Sequence, residues 1–95
     1  MPEDPAANSE EAQRQVTAAF DSVWMVDAAV AGNSRFELST PEETAAERLY
    51  HLDGNYKHLE TMMTKTWFTD TLTAEQTTSI NNSVSSAKAY ITANS

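Results

Sequence analysis

The sequence predicts an all-α protein, an antiparallel three-helix bundle with a flexible N-terminal tail at residues 1–8 and a single domain at residues 9–95. Three observations support this prediction. Apolar residues recur at alternating steps of three and four, the spacing of one helix face. A capping sequence precedes each of these apolar stretches. Two glycines and three prolines interrupt the 95 residues, and no alternation typical of a β-strand lasts long.

The first predicted helix spans about residues 9–31, between a capping signal and a glycine. Its apolar stripe consists of Val16, Ala19, Val23, Val26 and Val30. Asn8 followed by Glu11 forms a capping box, in which each side chain satisfies a backbone N–H at the helix start. Gly32-Asn33 predicts the end of this helix, because both residues tolerate the left-handed backbone of a helix C-terminus.

The second and third predicted helices span about residues 41–66 and 74–93. The second stripe is Ala45, Leu49, Leu52, Tyr56, Leu59 and Met63, and the third is Ile80, Val84, Ala87 and Ile91. The capping signals are Thr40-Pro41 with Glu43, and Thr73 with Gln76. Three amphipathic helices joined by short connections favour an antiparallel bundle.

The charge of the chain is strongly and unevenly acidic. The net charge is −8, from 14 acidic and 6 basic residues. Residues 1–31 carry six acids and one base, residues 32–71 seven acids and four bases, and residues 72–95 one of each. No two basic residues are adjacent, so we expect binding neither to nucleic acid nor to an anionic membrane surface, both of which need clustered basic residues.

Neither a membrane-spanning helix nor a signal peptide is expected. The longest apolar run has four residues, whereas a membrane span needs about 20. The N-terminal stretch MPEDPAANSEE lacks the basic and apolar segments of a signal peptide. The chain has no cysteine, which excludes disulfides and thiolate metal sites.

Candidate interaction residues are predicted on the surface of the second and third helices. Outside its stripe the third helix carries mainly Ser, Thr and Asn, and Glu75 and Lys88 are its ionised residues. Uncharged polar groups cost less to bury than charged ones, so we assign Asn82 and Ser86 to a contact with another protein. A solvated face of low charge explains the composition equally well. Gly54 falls opposite the stripe of the second helix, where close approach of another chain, or a helix bend, would explain a glycine.

Two adjacent aromatic residues follow the second helix. Trp67-Phe68 can close one end of the bundle or anchor a partner, since aromatic residues dominate interface hot spots. Core packing is the favoured interpretation for this pair and for Trp24, which lies beside the stripe of the first helix. The anchor interpretation keeps Trp67 and Phe68 among the candidate interaction residues.

The stretch HLDGNYKHLE supplies a competing, metal-binding hypothesis. His51 and His58 are seven residues apart, about 10 Å along a helix, which is too far for one metal ion without further ligands. Glu47 and His51 have a suitable spacing of four but supply two ligands only. Partly exposed histidines are therefore the favoured interpretation, and we expect no metal and no cofactor.

The sequence contains no recognisable catalytic arrangement. Asp27 lies within the apolar stretch VWMVDAAV, and we interpret it as the salt-bridge partner of Arg35 or Arg48. It has no facing acid or nucleophile in the pattern, so it does not indicate catalysis. Phosphate-binding loops, nucleophile elbows, HExxH motifs and calcium loops are absent from the sequence, and an enzyme is not expected.

The stretch HLETMMTKTWF, together with VWMVDAAVAG, resembles short acidic helical proteins encoded by tailed bacteriophages. The shared pattern is N-x-x-HLE-x-M-x-x-K, here Asn55, His58, Leu59, Glu60, Met62 or Met63, and Lys65. The resemblance implies a structural, virion-associated role without catalytic residues, located in a virion or the host cytoplasm. We therefore expect a non-enzymatic interaction protein that associates with itself or with other virion proteins. The alternative is a small metal-binding or regulatory module that uses Glu47, His51 and His58.

Overall fold

The computed structural model describes residues 4–31 and 41–94, with backbone alone for residues 41–45. These residues form four helices: α1 at Glu10–Val30, α2 at Pro41–Met63, α3 at Thr66–Thr69 and α4 at Ala74–Asn94. The described ranges contain no β-strand. The three long helices pack against one another, so the predicted all-α helical bundle is confirmed.

Two groups of buried residues define how the helices run. At one end of the bundle, Val16, Ala19 and Val23 of α1 pack with Leu59 and Met62 of α2, Phe68 of α3 and Ile80 of α4. At the other end, Val26 and Ala29 of α1 pack with Leu52 of α2 and Ala87 of α4. The first half of α1 thus meets the second half of α2 and the first half of α4. Consequently α2 runs antiparallel to α1 and to α4, and α1 and α4 run parallel.

Most residues of the predicted apolar stripes lie in this core, whereas Leu49 is partly exposed and belongs to neither core group. Leu52, Leu59, Val26 and Ile80 are among the residues whose side chains are almost fully buried. Tyr56, Val84 and Ile91 pack at the core margin. At the end of α2 the buried methionine is Met62, and the predicted Met63 is partly exposed. The prediction for Ala45 concerns a side chain outside the described residues.

The N-terminus of α1 is capped one residue later than predicted. Ser9 is the N-cap, and its Oγ accepts a hydrogen bond from the Ala12 backbone N–H at 3.1 Å. Asn8 instead has a left-handed backbone, with φ of 63°, and its N–H donates to Thr71 Oγ1 at 2.8 Å. The prediction of a capping box formed by Asn8 and Glu11 is therefore wrong, because Asn8 lies in the turn before the N-cap residue Ser9. The hydrogen bond to Thr71 attaches this turn to the segment before α4.

The connection between α2 and α4 contains a helix that the sequence did not predict. Helix α2 ends at Met63, three residues earlier than predicted, and α3 follows over Thr66–Thr69. Phe68 of α3 is 0% exposed and fills the core at this end. The predicted capping box of α4 is confirmed. The Thr73 N–H donates to Gln76 Oε1 at 2.9 Å, and the Gln76 N–H donates to Thr73 Oγ1 at 3.1 Å.

One prediction about an α1 side chain is wrong, and another is tested only for one of its two alternatives. Trp24, expected in the core, is 53% exposed, because it lies about 100° around the helix from its buried neighbour Val23. Asp27 does not pair with Arg48. Its Oδ1 accepts a hydrogen bond from Ser83 Oγ of α4 at 2.7 Å, while Arg48 of α2 donates to Tyr90 Oη at 3.4 Å. The other predicted partner of Asp27, Arg35, and the Gly32-Asn33 and Thr40 signals lie outside the described residues.

Candidate interaction surfaces

The residues of the metal-binding hypothesis lie on α2. No group of three or more His, Cys, Asp or Glu side chains within residues 4–31 and 46–94 is placed to hold a metal ion. Glu47 and His51 do meet, with 2.7 Å between Oε1 and Nε2. His58 is exposed and does not complete a set with them. The functional question therefore concerns the surfaces of the bundle.

The α2 outer face, formed by Glu47, Tyr50, Gly54, Lys57 and Thr61, lies opposite the buried stripe of this helix. Its residues follow one another at steps of three and four, so they share one side of the helix. Tyr50 is 74% exposed, although it is a large aromatic residue. One turn further, a Cβ built on Gly54 would meet no heavy atom within 4 Å. The face thus combines a projecting ring with an open position.

Gly54 also lies in a shallow depression of the α2 surface. This depression has a volume of about 380 Å³ and is lined by Tyr50, His51, Asp53, Gly54 and Asn55. The Tyr50 and His51 rings meet edge to face, with 5.4 Å between their centroids. Asn55 Nδ2 donates to the backbone carbonyl of His51 at 2.8 Å. These contacts arrange polar groups around the glycine without filling the space above it.

The acidic side chains described on α2 each have a basic partner. Glu47 contacts His51, Asp53 accepts from Lys57 Nζ at 2.9 Å, and Glu60 meets Lys88 Nζ of α4 at 2.6 Å. The hydrogen bond to the Asp53 carboxylate raises the pKa of Lys57 above its ordinary value of 10.5. The ammonium groups of Lys57 and Lys88 therefore offset the charges of Asp53 and Glu60, although the whole chain is strongly acidic.

The α4 outer face, formed by the exposed residues Thr78, Ser79, Asn81, Asn82, Ser85, Ser86 and Ala89, carries no charge. The helix has two ionised residues. Glu75 lies in its first turn, and Lys88 turns towards α2, where its Nζ bonds Glu60 and lies 5.9 Å from the centre of the Tyr56 ring. The remaining surface consists of hydroxyl, amide and methyl groups.

The predicted interaction residues have different environments. Gly54 lies on the α2 outer face, and Asn82 and Ser86 lie on the α4 outer face, all three of them exposed. Phe68 is completely buried, so its side chain belongs to the core and cannot reach a partner in this fold. Trp67 is partly buried against the same core, and its ring meets that of Phe68 edge to face at 6.0 Å. The structure does not bring the five residues together into one site.

Sequence reasoning missed Tyr50 as a surface residue of interest. Tyr50 lies outside the inward stripes. The available signal is its position on the same side of the helix as Gly54, opposite the inner stripe.

Comparison of the chain with protein-family models, with curated proteins and with solved structures gave no match. Within the described helices, none is both long enough and apolar enough to cross a membrane.

Proposed function

We propose that the protein is a non-enzymatic structural protein that assembles with copies of itself through the α4 outer face. The observation that supports this proposal is the lack of charge on that exposed face, within a chain whose net charge is −8. A virion or virion-assembly role, which the resemblance to bacteriophage proteins implies, is part of the same proposal.

Electrostatics favour this face over the other surfaces. Two identical acidic chains repel one another, and like charges opposed across an interface cost several kcal/mol. The α4 outer face has no charged residues, so contact between two copies of this face opposes no like charges. Helix α1, by contrast, exposes Glu10, Glu11 and Asp21 with Arg14 as its base, so contact between two copies of α1 would add repulsion.

The chemistry of the α4 outer face also suits a contact between identical surfaces. A two-fold interface places the same patch on both sides, so each patch must complement itself. Hydroxyl and amide groups both donate and accept hydrogen bonds. Asn82 and Ser86, one turn apart on this face, can therefore bond their own equivalents in a second copy.

Light scattering on the purified chain at tens of micromolar tests the proposal. We expect a mass above the 10.5 kDa of one chain. The double variant Asn82→Glu/Ser86→Glu places two carboxylates on each side of the interface and should lower that mass. A parent chain of 10.5 kDa throughout the concentration range, or a double variant with the parent's mass, would overturn the assignment.

A matched control tests whether two added charges lower the mass wherever they lie on the surface, or only on the α4 outer face. Gln13→Glu/Thr17→Glu adds the same two charges at the same spacing on the exposed side of α1. We expect this variant to keep the parent's mass.

The virion role has its own test, which is mass spectrometry of purified particles from a phage whose genome encodes the chain. If the chain were absent from those particles, it would not be a component of the mature virion, and the proposal would be left with a role in assembly or with none in the virion.

A further inference from the structure

We infer that the α2 outer face is a second, separate self-association surface, on which α2 pairs antiparallel with α2 of another copy about a two-fold axis level with Leu52. This inference goes beyond the α4 proposal, since it rests on other residues and other observations. It is carried by the shape and the charge order of the α2 outer face.

Five residues share the outer side of α2 and can meet a second helix there: Glu47, Tyr50, Gly54, Lys57 and Thr61. None of these residues contributes to the buried core. We call this line of residues the seam, and the space above Gly54, at its centre, is open.

The shape of the seam is self-complementary in one direction only. In the antiparallel arrangement centred on position 52, Tyr50 of one copy faces Gly54 of the other, and Gly54 faces Tyr50. A projecting ring thus meets an open position twice, as knobs meet holes in helix packing. Glycine lets the second helix approach closely because it has no Cβ. A parallel arrangement would place the two Tyr50 rings against one another and leave both glycines unfilled.

The order of charges selects the same arrangement. Glu47 and Lys57 lie five residues on either side of position 52, which is about 7.5 Å along the helix in each direction. The antiparallel pair therefore places Glu47 of each copy opposite Lys57 of the other. The parallel pair would oppose Glu47 to Glu47 and Lys57 to Lys57, which is repulsive. Shape and charge thus converge on one register and on a second copy as the occupant.

Reversing the charge of Glu47 or Lys57 tests the register of the α2 pair. These variants are made in the Asn82→Glu/Ser86→Glu background, in which association through the α4 outer face is weakened. In that background we expect a dimer of twice the 10.5 kDa chain mass. Glu47→Lys creates two Lys–Lys oppositions per dimer, and Lys57→Glu creates two Glu–Glu oppositions. Each variant should dimerise at least about tenfold more weakly, because like charges are opposed. A 1:1 mixture of the two variants restores both opposite-charge pairs and should recover the dimer.

The mixture is the decisive measurement, because damage to the fold of either chain is not repaired by adding the other. Circular dichroism of each variant confirms that its helices remain. Arg14→Glu, on the exposed side of α1, is the charge-reversal control and should leave the dimer unchanged. A monomer in the α4-altered background, or variants that dimerise apart as well as they do together, would overturn the α2 pairing. Neither result would affect the α4 test, which compares the parent with its own double variant.

Discussion

The inner and outer faces of α2 have the same residue spacing and opposite chemistry. Leu52 and Leu59 on the inner face are 1% and 0% exposed, and they link α2 to the two core groups. On the outer face, Tyr50 and Gly54 stand in solvent between Glu47 and Lys57. Spacing alone therefore shows only which residues share one side of the helix. The apolar or polar character of that side determines whether it packs within the chain.

This comparison separates folding from association within a single helix. Replacing an inner residue should destabilise the chain, since its side chain has exchanged water for the core. Replacing an outer residue other than Gly54 should leave stability nearly unchanged, because surface substitutions usually alter it by less than about 0.5 kcal/mol. Variants one or two positions apart can therefore be compared directly.

The largest expected effect is the loss of folding in Leu52→Asp. An unpaired carboxylate at this buried position costs several kcal/mol, against about 5–15 kcal/mol for the whole stability of a small domain. Circular dichroism should show that the helical signal is lost. Tyr50→Asp introduces the same carboxylate two residues away on the outer face and should stay folded. Equal melting temperatures for the two variants would show that the inner and outer faces are wrongly assigned.

A smaller loss is expected for Leu59→Ala. This change leaves a cavity between α1, α2 and α4 and should lower the free energy of unfolding by about 2–5 kcal/mol. His58→Ala, at the exposed neighbouring position, should change it by less than about 0.5 kcal/mol. Urea unfolding followed by circular dichroism measures both values. A loss below that of His58→Ala would place Leu59 outside the core.

A gain in stability is expected on the outer face for Gly54→Ala. The added Cβ meets no atom within 4 Å, and alanine is favoured over glycine in a helix interior by about 1 kcal/mol. The melting temperature of the monomer should therefore rise. Ala46→Gly, at another exposed position of α2, is the reverse control and should lose a similar amount. A destabilised Gly54→Ala monomer would show that this glycine has a role inside the chain.

The smallest expected effect concerns the exposed pair between α2 and α4. The Glu60 carboxylate, which accepts a hydrogen bond from Lys88 Nζ, raises the pKa of Lys88 above its ordinary value of 10.5. The pair therefore stabilises the fold below pH 10.5 and loses this contribution as the pH rises through the higher pKa of the folded state. Lys88→Gln should melt slightly below the parent at pH 7, and the difference should shrink above pH 10.5. A difference that grows with pH would contradict this pairing.

The long helices and their inner stripes could be predicted because local and long-range requirements coincide there. The capping box at Thr73 and Gln76 marks the start of α4, and residues such as Leu52 and Ile80 repeat at the helical period and lie in the core. Helix α3 has no such signal. Four residues cannot establish a period, and three of them, Thr66, Trp67 and Thr69, are not buried. Burial of Phe68 determines its position, which is a property of the assembled bundle.

Other details depended on which of two similar residues the fold uses. Asn8 and Ser9 are both good N-caps, and the hydrogen bond from the Asn8 N–H to Thr71, a residue 63 positions away, accompanies the choice of Ser9. Asp27 is predicted to pair with Arg35 or Arg48. In the structure its Oδ1 accepts a hydrogen bond from Ser83 Oγ of α4, and Arg35 lies outside the described residues. Which residue caps a helix or bonds a side chain depends on how each helix is rotated about its axis against its neighbours. The sequence pattern does not define that rotation precisely enough to distinguish adjacent residues.

The parallel arrangement of α1 and α4 has a mechanical consequence. With three long helices, an odd number, the chain enters the bundle at one end, at Glu10, and leaves it at the other, after Asn94. A pulling force applied to these two points acts along the helix axes, over a bundle whose longest extent is 44 Å. The helices must then slide past one another, and the contacts of both core groups resist the force together. If both points lay at one end, the same force would peel the helices apart and break those contacts in succession.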